Sequence, residues 1–258
     1  MNKPISVSHT FSGTEKTISF EVDVLDKITD GGLHDRSVNY LFSSTGAGKT
    51  LFLCHVAASA MRQNKNVLFI TDELPQEKIH ERIQANLLND TILNLYDKET
   101  SFYDSLNLQS LNTLGNLRVI DDYYNYSSFA EFRSQFEHDI KNILFKPDII
   151  LIDVFSNSND LESDYMYHKT CIDYKIPILV SAVTPRKNPV ESIIRTMSVE
   201  SGALMSFGIE ITDKTTSSYT VTQVKNRYTR PDKNRRFTIG VDYDKMKLYN
   251  AEQSKLEL

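Results

Sequence analysis

Five short apolar runs recur along the chain, at residues 38–42, at 67–71, and within LRVIDDY, PDIILIDV and IPILVSAV. Between them, apolar residues return at helical spacing. Residues 49–63 carry Leu53, Val56 and Ala60 on one stripe; after Pro75, Ile79, Ile83 and Leu87 share a face; and FAEFRSQFEHDIKNILF lines up Phe129, Phe132, Phe136, Ile140 and Ile143. Pro75 suits the first turn of its helix. Apolar strands alternating with amphipathic helices predict an α/β fold built on a mainly parallel sheet with helices on both faces. Further along, SSYTVTQVKNRY, NRRFTIGVDY and KMKLYN have hairpin spacing and predict antiparallel strands at the C-terminal end. The first residues, rich in Ser and Thr, show no period. The expected organisation is an arm over 1–19, one domain over 20–250 and a tail over 251–258.

Composition changes this picture little. A chain of 258 residues, 40% hydrophobic and 24% charged, is long enough for one large core. No apolar run approaches the roughly 20 residues that span a bilayer, and MNKPISVSHT lacks the features of a signal peptide. The expectation is a cytoplasmic chain with no membrane contact. Cys54 and Cys171 lie in apolar segments without metal-like spacing and read as buried thiols. A net charge of -5 argues against coating nucleic acid by bulk attraction, yet residues 181–240 hold ten Lys and Arg against five Asp and Glu.

The chemistry gathers where strands end. SSTGAGKT follows the run at 38–42 and matches G-x-x-x-x-G-K-[ST], except that Ser43 stands at the first glycine. In such a loop the backbone of Ser44, Thr45, Gly46, Ala47 and Gly48 approaches phosphate, Lys49 reaches the outer phosphates and the Thr50 hydroxyl holds magnesium. The first glycine serves backbone shape and supplies no ligand. Asp153 closes DIILIDV, where a carboxylate holds the same ion through water. Asp72 and Glu73 both follow a strand, and either is placed to polarise an attacking water. Lys225 and Arg227, two apart in QVKNRY, are expected on one face of a strand, aimed across a subunit boundary at a transferred phosphoryl group.

Taken in order, LDKITDGGL, SSTGAGKT, LFITDELPQEKIHERIQANLL, IILIDV, VESGAL and QVKNRY resemble the motor domain of the DnaB class of replicative DNA helicases, most closely its T-even phage form, from about residue 20 to 250. The resemblance implies a RecA-like P-loop fold that uses ATP and Mg²⁺. It gives Glu73 the water-activating role, Thr50 and Asp153 the magnesium, and Lys225 and Arg227 the role in trans. It further implies a hexameric ring that moves 5′ to 3′ on single-stranded DNA in phage replication, in the host cytoplasm, with a primase or loader as partner. On that reading Arg186, Lys187 and Arg195, in TPRKNPVESIIR, face a central channel and track phosphates. Three features depart from the family pattern. Ala182 stands where a glutamine usually senses the γ-phosphate, the segment 153–176 is short, and the family's amino-terminal domain has no counterpart, so the chain reads as a fragment or a minimal version. These departures support a second expectation, a RecA-like ATPase acting as a regulator, loader or recombination mediator without unwinding.

Overall fold

The structure, a computed structural model, describes residues 16–97, 113–121, 145–153, 161–183, 205–213, 217–229 and 235–251, with isolated positions at 131, 134, 137 and 138. In chain order the elements are β1 (Thr17–Ile18), α1 (Asp23–Ile28), β2 (Leu33–His34), β3 (Val38–Ser43), α2 (Lys49–Arg62), β4 (Val67–Thr71), α3 (Gln76–Leu88), α4 (Ile92–Asp97), β5 (Leu117–Ile120), β6 (Ile149–Asp153), α5 (Leu161–Tyr174), β7 (Ile178–Val183), β8 (Met205–Asp213), β9 (Ser218–Asn226), β10 (Arg236–Asp242) and β11 (Lys247–Tyr249).

Strands β3 to β11 form one sheet in the order β11-β10-β9-β8-β3-β7-β6-β4-β5. From β8 to β5 every neighbouring pair is parallel, and from β8 to β11 every pair is antiparallel. The predicted mainly parallel sheet with an antiparallel C-terminal end is therefore present. The hinge between its two halves, β8, has no counterpart among the predicted strands. MSFGIEITD has no continuous apolar run; it alternates Met205, Phe207, Ile209 and Ile211 with Ser, Gly, Glu and Thr, a period-2 pattern that its place between β3 and β9 makes a strand.

Side chains alternate across the sheet, so each strand feeds two cores. On one side Leu41, Phe69, Leu151 and Leu179 pack with Phe52, Val56 and Ala60 of α2 and Ile79 and Ile83 of α3. On the other, Tyr40, Phe42, Ile70, Ile152 and Val180 pack with Met166, Tyr167 and Cys171 of α5. This double cover explains why β3, β4 and β6 are buried along their whole length. Pro75 caps α3 one residue ahead of its first turn, and Asn89 ends it in the left-handed conformation at φ 53°.

Ahead of this sheet, β1 pairs with β2 and brings Thr17 and Ile18, three and two residues ahead of position 20, into contact with His34 and Leu33. Cys54 and Cys171 are free and buried as expected. The segments FAEFRSQFEHDIKNILF, all but a few positions, and VESGAL lie outside the described residues. Among the described residues no helix is long and apolar enough to cross a membrane.

Candidate nucleotide site

The parallel strands all run toward one end of the sheet, and there β3 delivers the loop 44–48 to the first turn of α2. Ser43 is still strand, paired with Val183, and its hydroxyl donates to the Ser44 carbonyl at 3.0 Å. Its extended backbone needs no glycine, which accounts for serine at that position. The two glycines that follow are needed. Gly46 and Gly48 sit at φ 80° and 87°, and a Cβ on Gly48 would collide with the Tyr219 hydroxyl. Around Gly46 nothing lies within 4 Å of such a Cβ, so the loop keeps an open concave side. Ala47 N–H closes a turn on the Ser44 carbonyl at 3.2 Å. Lys49 and Thr50 then open α2, buried at 4% and 8% exposure, with no acidic residue in the first turn to offset the helix's positive end.

The acids arrive from the neighbouring strands. After β4, the Thr71 hydroxyl accepts the N–H groups of Glu73 at 3.2 Å and Leu74 at 3.4 Å, a turn that swings Glu73 back over α2. There Thr50 Oγ1 donates to Glu73 Oε2 at 3.5 Å. Burial raises the Glu73 carboxyl above its ordinary range, the charge of Asp153 adds to this, and Lys49 opposes it. Asp72 takes a different course: its N–H donates to the Asp153 carbonyl at 3.1 Å and continues the ladder of β4.

Asp153, at the end of β6, is wholly buried. Oδ1 accepts from Ser181 Oγ at 2.6 Å, whereas Oδ2 is buried with no hydrogen-bond partner among the described residues. Burial raises this carboxyl too, opposed by the Ser181 and Thr50 hydroxyls and by Lys49. A buried carboxylate oxygen without a donor, beside a threonine hydroxyl in an all-oxygen setting, fits a hard divalent cation such as Mg²⁺. Among the described residues no three His, Cys, Asp or Glu side chains converge to cage a metal, so such an ion would take its remaining ligands from phosphate and water.

A cavity of about 270 Å³ opens over the loop, and its lining includes three residues given no role from the sequence: Arg82, Tyr243 and Met246. Arg82 lies one position before Ile83 on α3, where the helical period could have marked it; its charge also acts on Asp153. Tyr243 and Met246 come from the turn between β10 and β11, and no local pattern brings that turn to residue 48. Tyr243 meets Tyr219 edge-on at 6.4 Å and 81°. A larger cavity, about 480 Å³, is at the other end of the sheet, lined by Lys16, Arg36, Lys65 and Lys175 among others, and shares no residue with the loop.

Lys225 and Arg227 are not on one strand face. β9 stops at Asn226, so Lys225 lies in the strand opposite Ser206 while Arg227 belongs to the bend that follows. The strand ends there because the Asn226 side chain captures the backbone N–H groups of Tyr228 and Thr229. Lys225 and Arg227 still share a neighbourhood, since both charges join burial in lowering the pKa of His168 on α5. Arg227 is exposed and does not line the cavity over its own loop. Met205 pairs with Asn226 on one side and Asn39 on the other, so Arg227 sits near the start of β3, roughly 13 Å along the sheet from Ser43 at the usual rise per residue.

Ala182 pairs with Phe42 and packs into the core beneath α5, on the face opposite the Ser181 hydroxyl. Arg186, Lys187 and Arg195 lie outside the described residues.

A family model described as "ATPase: KaiC" matches residues 18–102. A curated protein, a DnaB-like replicative helicase of Enterobacteria phage T4, is 29% identical over 149 residues, which are 56% of this chain and 31% of that protein. The match thus spans less than a third of the relative's length. Among solved structures, one described as an ATPase domain superposes with a TM-score of 0.66 at 14% identity, covering 94% of each chain. A DnaB-like replicative helicase, described together with its interactions with primase, gives 0.65 at 14% identity over 93% of this chain and 63% of its own. The RadB recombinase gives 0.61 at 10% identity over 92% of this chain and 100% of its own. Identities this low speak to fold alone. The fold is that of the RecA-like P-loop ATPases, with antiparallel strands added at the C-terminal end.

Proposed function

We propose that this RecA-like site hydrolyses ATP with Mg²⁺ and that hydrolysis drives movement on single-stranded DNA, as the motor of a DnaB-like replicative helicase. The observation that carries the reading is the arrangement at the head of α2, where Glu73 reaches Thr50 beside the unpartnered Oδ2 of Asp153. The loop's backbone N–H groups and the positive end of α2 bind the phosphates, and Lys49 holds the outer ones as a point charge. Thr50 and Asp153 would hold the cation, which would supply positive charge to neutralise the phosphates. Glu73, its basicity raised by burial, orients the water and accepts its proton. Ser181 keeps Asp153 in place.

The half of the site that Glu73 cannot supply comes from a neighbour. Arg227 lies away from its own loop, exposed and without a carboxylate partner among the described residues, which suits a group offered to the next subunit's nucleotide together with Lys225. A contact of this head-to-tail kind closes into a ring, here a hexamer. Arg186, Lys187 and Arg195 line its channel, and movement runs 5′ to 3′. A primase or loader is the expected partner, and phage replication in the host cytoplasm the setting. The test is ATP hydrolysis stimulated by single-stranded DNA together with strand displacement on a forked duplex.

A second reading draws on Ala182. Its methyl group is buried in the core beneath α5 and has no polar atom with which to sense phosphate, which favours a RecA-like ATPase acting as a regulator or recombination mediator. Hydrolysis without strand displacement would select it.

A further inference from the structure

The segment LDKITDGGLH, residues 25–34, supplies no group to the nucleotide cavity, yet it is tied to the bend that carries Arg227. We propose that this segment is the seat that aims Arg227, with Asn226 as the clamp. The inference rests on the reading that Arg227 acts on a neighbour's phosphates.

Asn226 is 8% exposed and has its hydrogen-bonding capacity filled. Its Oδ1 accepts Tyr228 N–H at 2.9 Å and Thr229 N–H at 3.2 Å, which fixes the amide's orientation, because the reverse would set an NH₂ against two N–H donors. Its Nδ2, with two hydrogens, has three acceptors within reach, Ile28 O at 2.7 Å, Gln223 Oε1 at 2.8 Å and Thr229 Oγ1 at 2.9 Å, so one N–H is shared between two of them. The Thr229 hydroxyl donates to the same Ile28 carbonyl at 2.7 Å. Ile28 is the last residue of α1, whose final carbonyls have no partner within the helix. The bend around Arg227 thus closes the end of α1.

A second tie fixes the other side. His34 Nε2 donates to the Thr29 carbonyl at 2.7 Å, which orients the ring, and the ring stacks on Tyr228 at 3.9 Å and 11°. Between these anchors Gly31 and Gly32 turn the chain at φ 105° and 126°, and a Cβ on Gly32 would run into the Ile18 carbonyl of β1. Upstream of the clamp, the register of β8 and β9 slips by one residue at Val224, which sends Lys225 to the α5 side and Asn226 to the α1 side. Residues 226 and 229 are held to residue 28 and residue 228 to residue 34, while Arg227 alone among the four is exposed. A guanidinium that must meet a phosphate on another subunit needs such a base, because its placement is set by backbone it does not share with the phosphate.

The test compares Asn226→Ala with Arg227→Ala in the same chain. Asn226→Ala is expected to bind ATP with unchanged affinity and to lose turnover by about a hundredfold, the scale of a misplacement near 1 Å, against about a thousandfold or more for Arg227→Ala. Mixed with Lys49→Ala it should regain hydrolysis, since its own loop then meets an intact Arg227; mixed with Arg227→Ala it should not. A variant harmed only in folding shows no such dependence on the partner. Normal turnover by Asn226→Ala while Arg227→Ala is inactive overturns the inference and leaves the trans arginine standing, as does failure to recover with Lys49→Ala where Arg227→Ala recovers. Full turnover by Arg227→Ala overturns the underlying reading instead. Should Asn226→Ala not fold, Thr229→Val keeps the shape and removes one donor to Ile28. Its expected loss is about tenfold, with the same dependence on the partner, and normal turnover by it would overturn the proposal.

Discussion

Ser181 Oγ lies 2.6 Å from Asp153 Oδ1, and the other oxygen of that carboxylate is buried with no hydrogen-bond partner among the described residues. One oxygen is oriented by the protein and the other is left for something else. Ser181 therefore stands to the cation as the support of its support. Ser181→Ala should raise the Mg²⁺ concentration needed for half-maximal hydrolysis by about ten- to a hundredfold, the usual scale for such partners, with little change in saturating turnover. Titrating Mg²⁺ at fixed ATP checks it.

The same carboxylate carries a stability cost in the ligand-free chain. Burial raises its pKa above the ordinary 3.8, so the folded chain holds the proton more tightly than the unfolded one. The stability this contributes is complete below 3.8 and is lost as pH rises through the higher folded value. Asp153→Asn should melt above the parent at neutral pH, show a smaller decline between acid and neutral pH, and lose hydrolysis. Thermal melts across pH without nucleotide measure the first two, and a parent whose stability rises over that range on account of Asp153 would contradict the argument.

Glu73→Gln should retain ATP binding and lose turnover, since the amide keeps the shape but cannot take a proton from water. Asp72→Asn should keep most activity, because Asp72 is tied to Asp153 through its backbone N–H, which the substitution leaves in place. A base works deprotonated, and the Glu73 pKa is raised, so turnover should increase with pH through a limb lying above the ordinary 4.5. The reverse pattern, with Asp72→Asn inactive, would move the base by one residue.

Gly48→Ala places a methyl group at φ 87° and against the Tyr219 ring, whose Cζ would lie 2.7 Å from it. The backbone term alone costs about 1–2 kcal/mol, or roughly 2–8 °C in Tm for a chain of this size. Nucleotide binding should fall with it. Tyr219→Phe alone removes a buried hydroxyl that has no hydrogen-bond partner among the described residues and should leave Tm unchanged or higher. In the double variant the ring carbon still blocks the methyl, so little stability should return.

Lys49→Ala should abolish hydrolysis, because it removes the charge that holds the outer phosphates. Arg227→Ala should spare binding and lower turnover by about a thousandfold or more. In a mixture of the two, some interfaces pair an intact Lys49 with an intact Arg227, and hydrolysis should partly return. An inactive mixture, despite demonstrated co-assembly, would count against an arginine acting in trans at independent sites. A dilute monomer of the parent chain with full activity would place Arg227 within its own subunit.

The parallel half of the fold is legible in the sequence because β3, β4, β6 and β7 are covered on both faces and spell nearly continuous apolar runs, while the edge strand β5 shows only as the short run around Val119. Lys49, Thr50, Glu73 and Asp153 are legible because each sits at or just beyond a strand end, where chain order and spatial order coincide. β8 escapes because its signal is a period-2 alternation and not a continuous run, and Tyr243 because it reaches Gly46 and Gly48 only through the sheet. Lys225 and Arg227 stand out in sequence, but not their true orientation: the slip at Val224 and the side-chain bonds of Asn226 break the two-residue alternation, and neither leaves a mark in QVKNRY. LDKITDGGL is visible only as part of a resemblance. Its glycines mark a turn, but that the turn meets residues 226–229 is a fact of tertiary structure.

Both thiols are wholly buried, and burial pushes Cys171 up to about 11 and Cys54 higher still. At neutral pH neither presents a thiolate, and neither is reached by a reagent from solvent. The unmodified sequence is thus already a silent background for single-site labelling. One cysteine introduced on the exposed side of α5, at Tyr165 or Ile172, would take a dye alone, and the distance between two such dyes on neighbouring chains would read out assembly with no native cysteine removed.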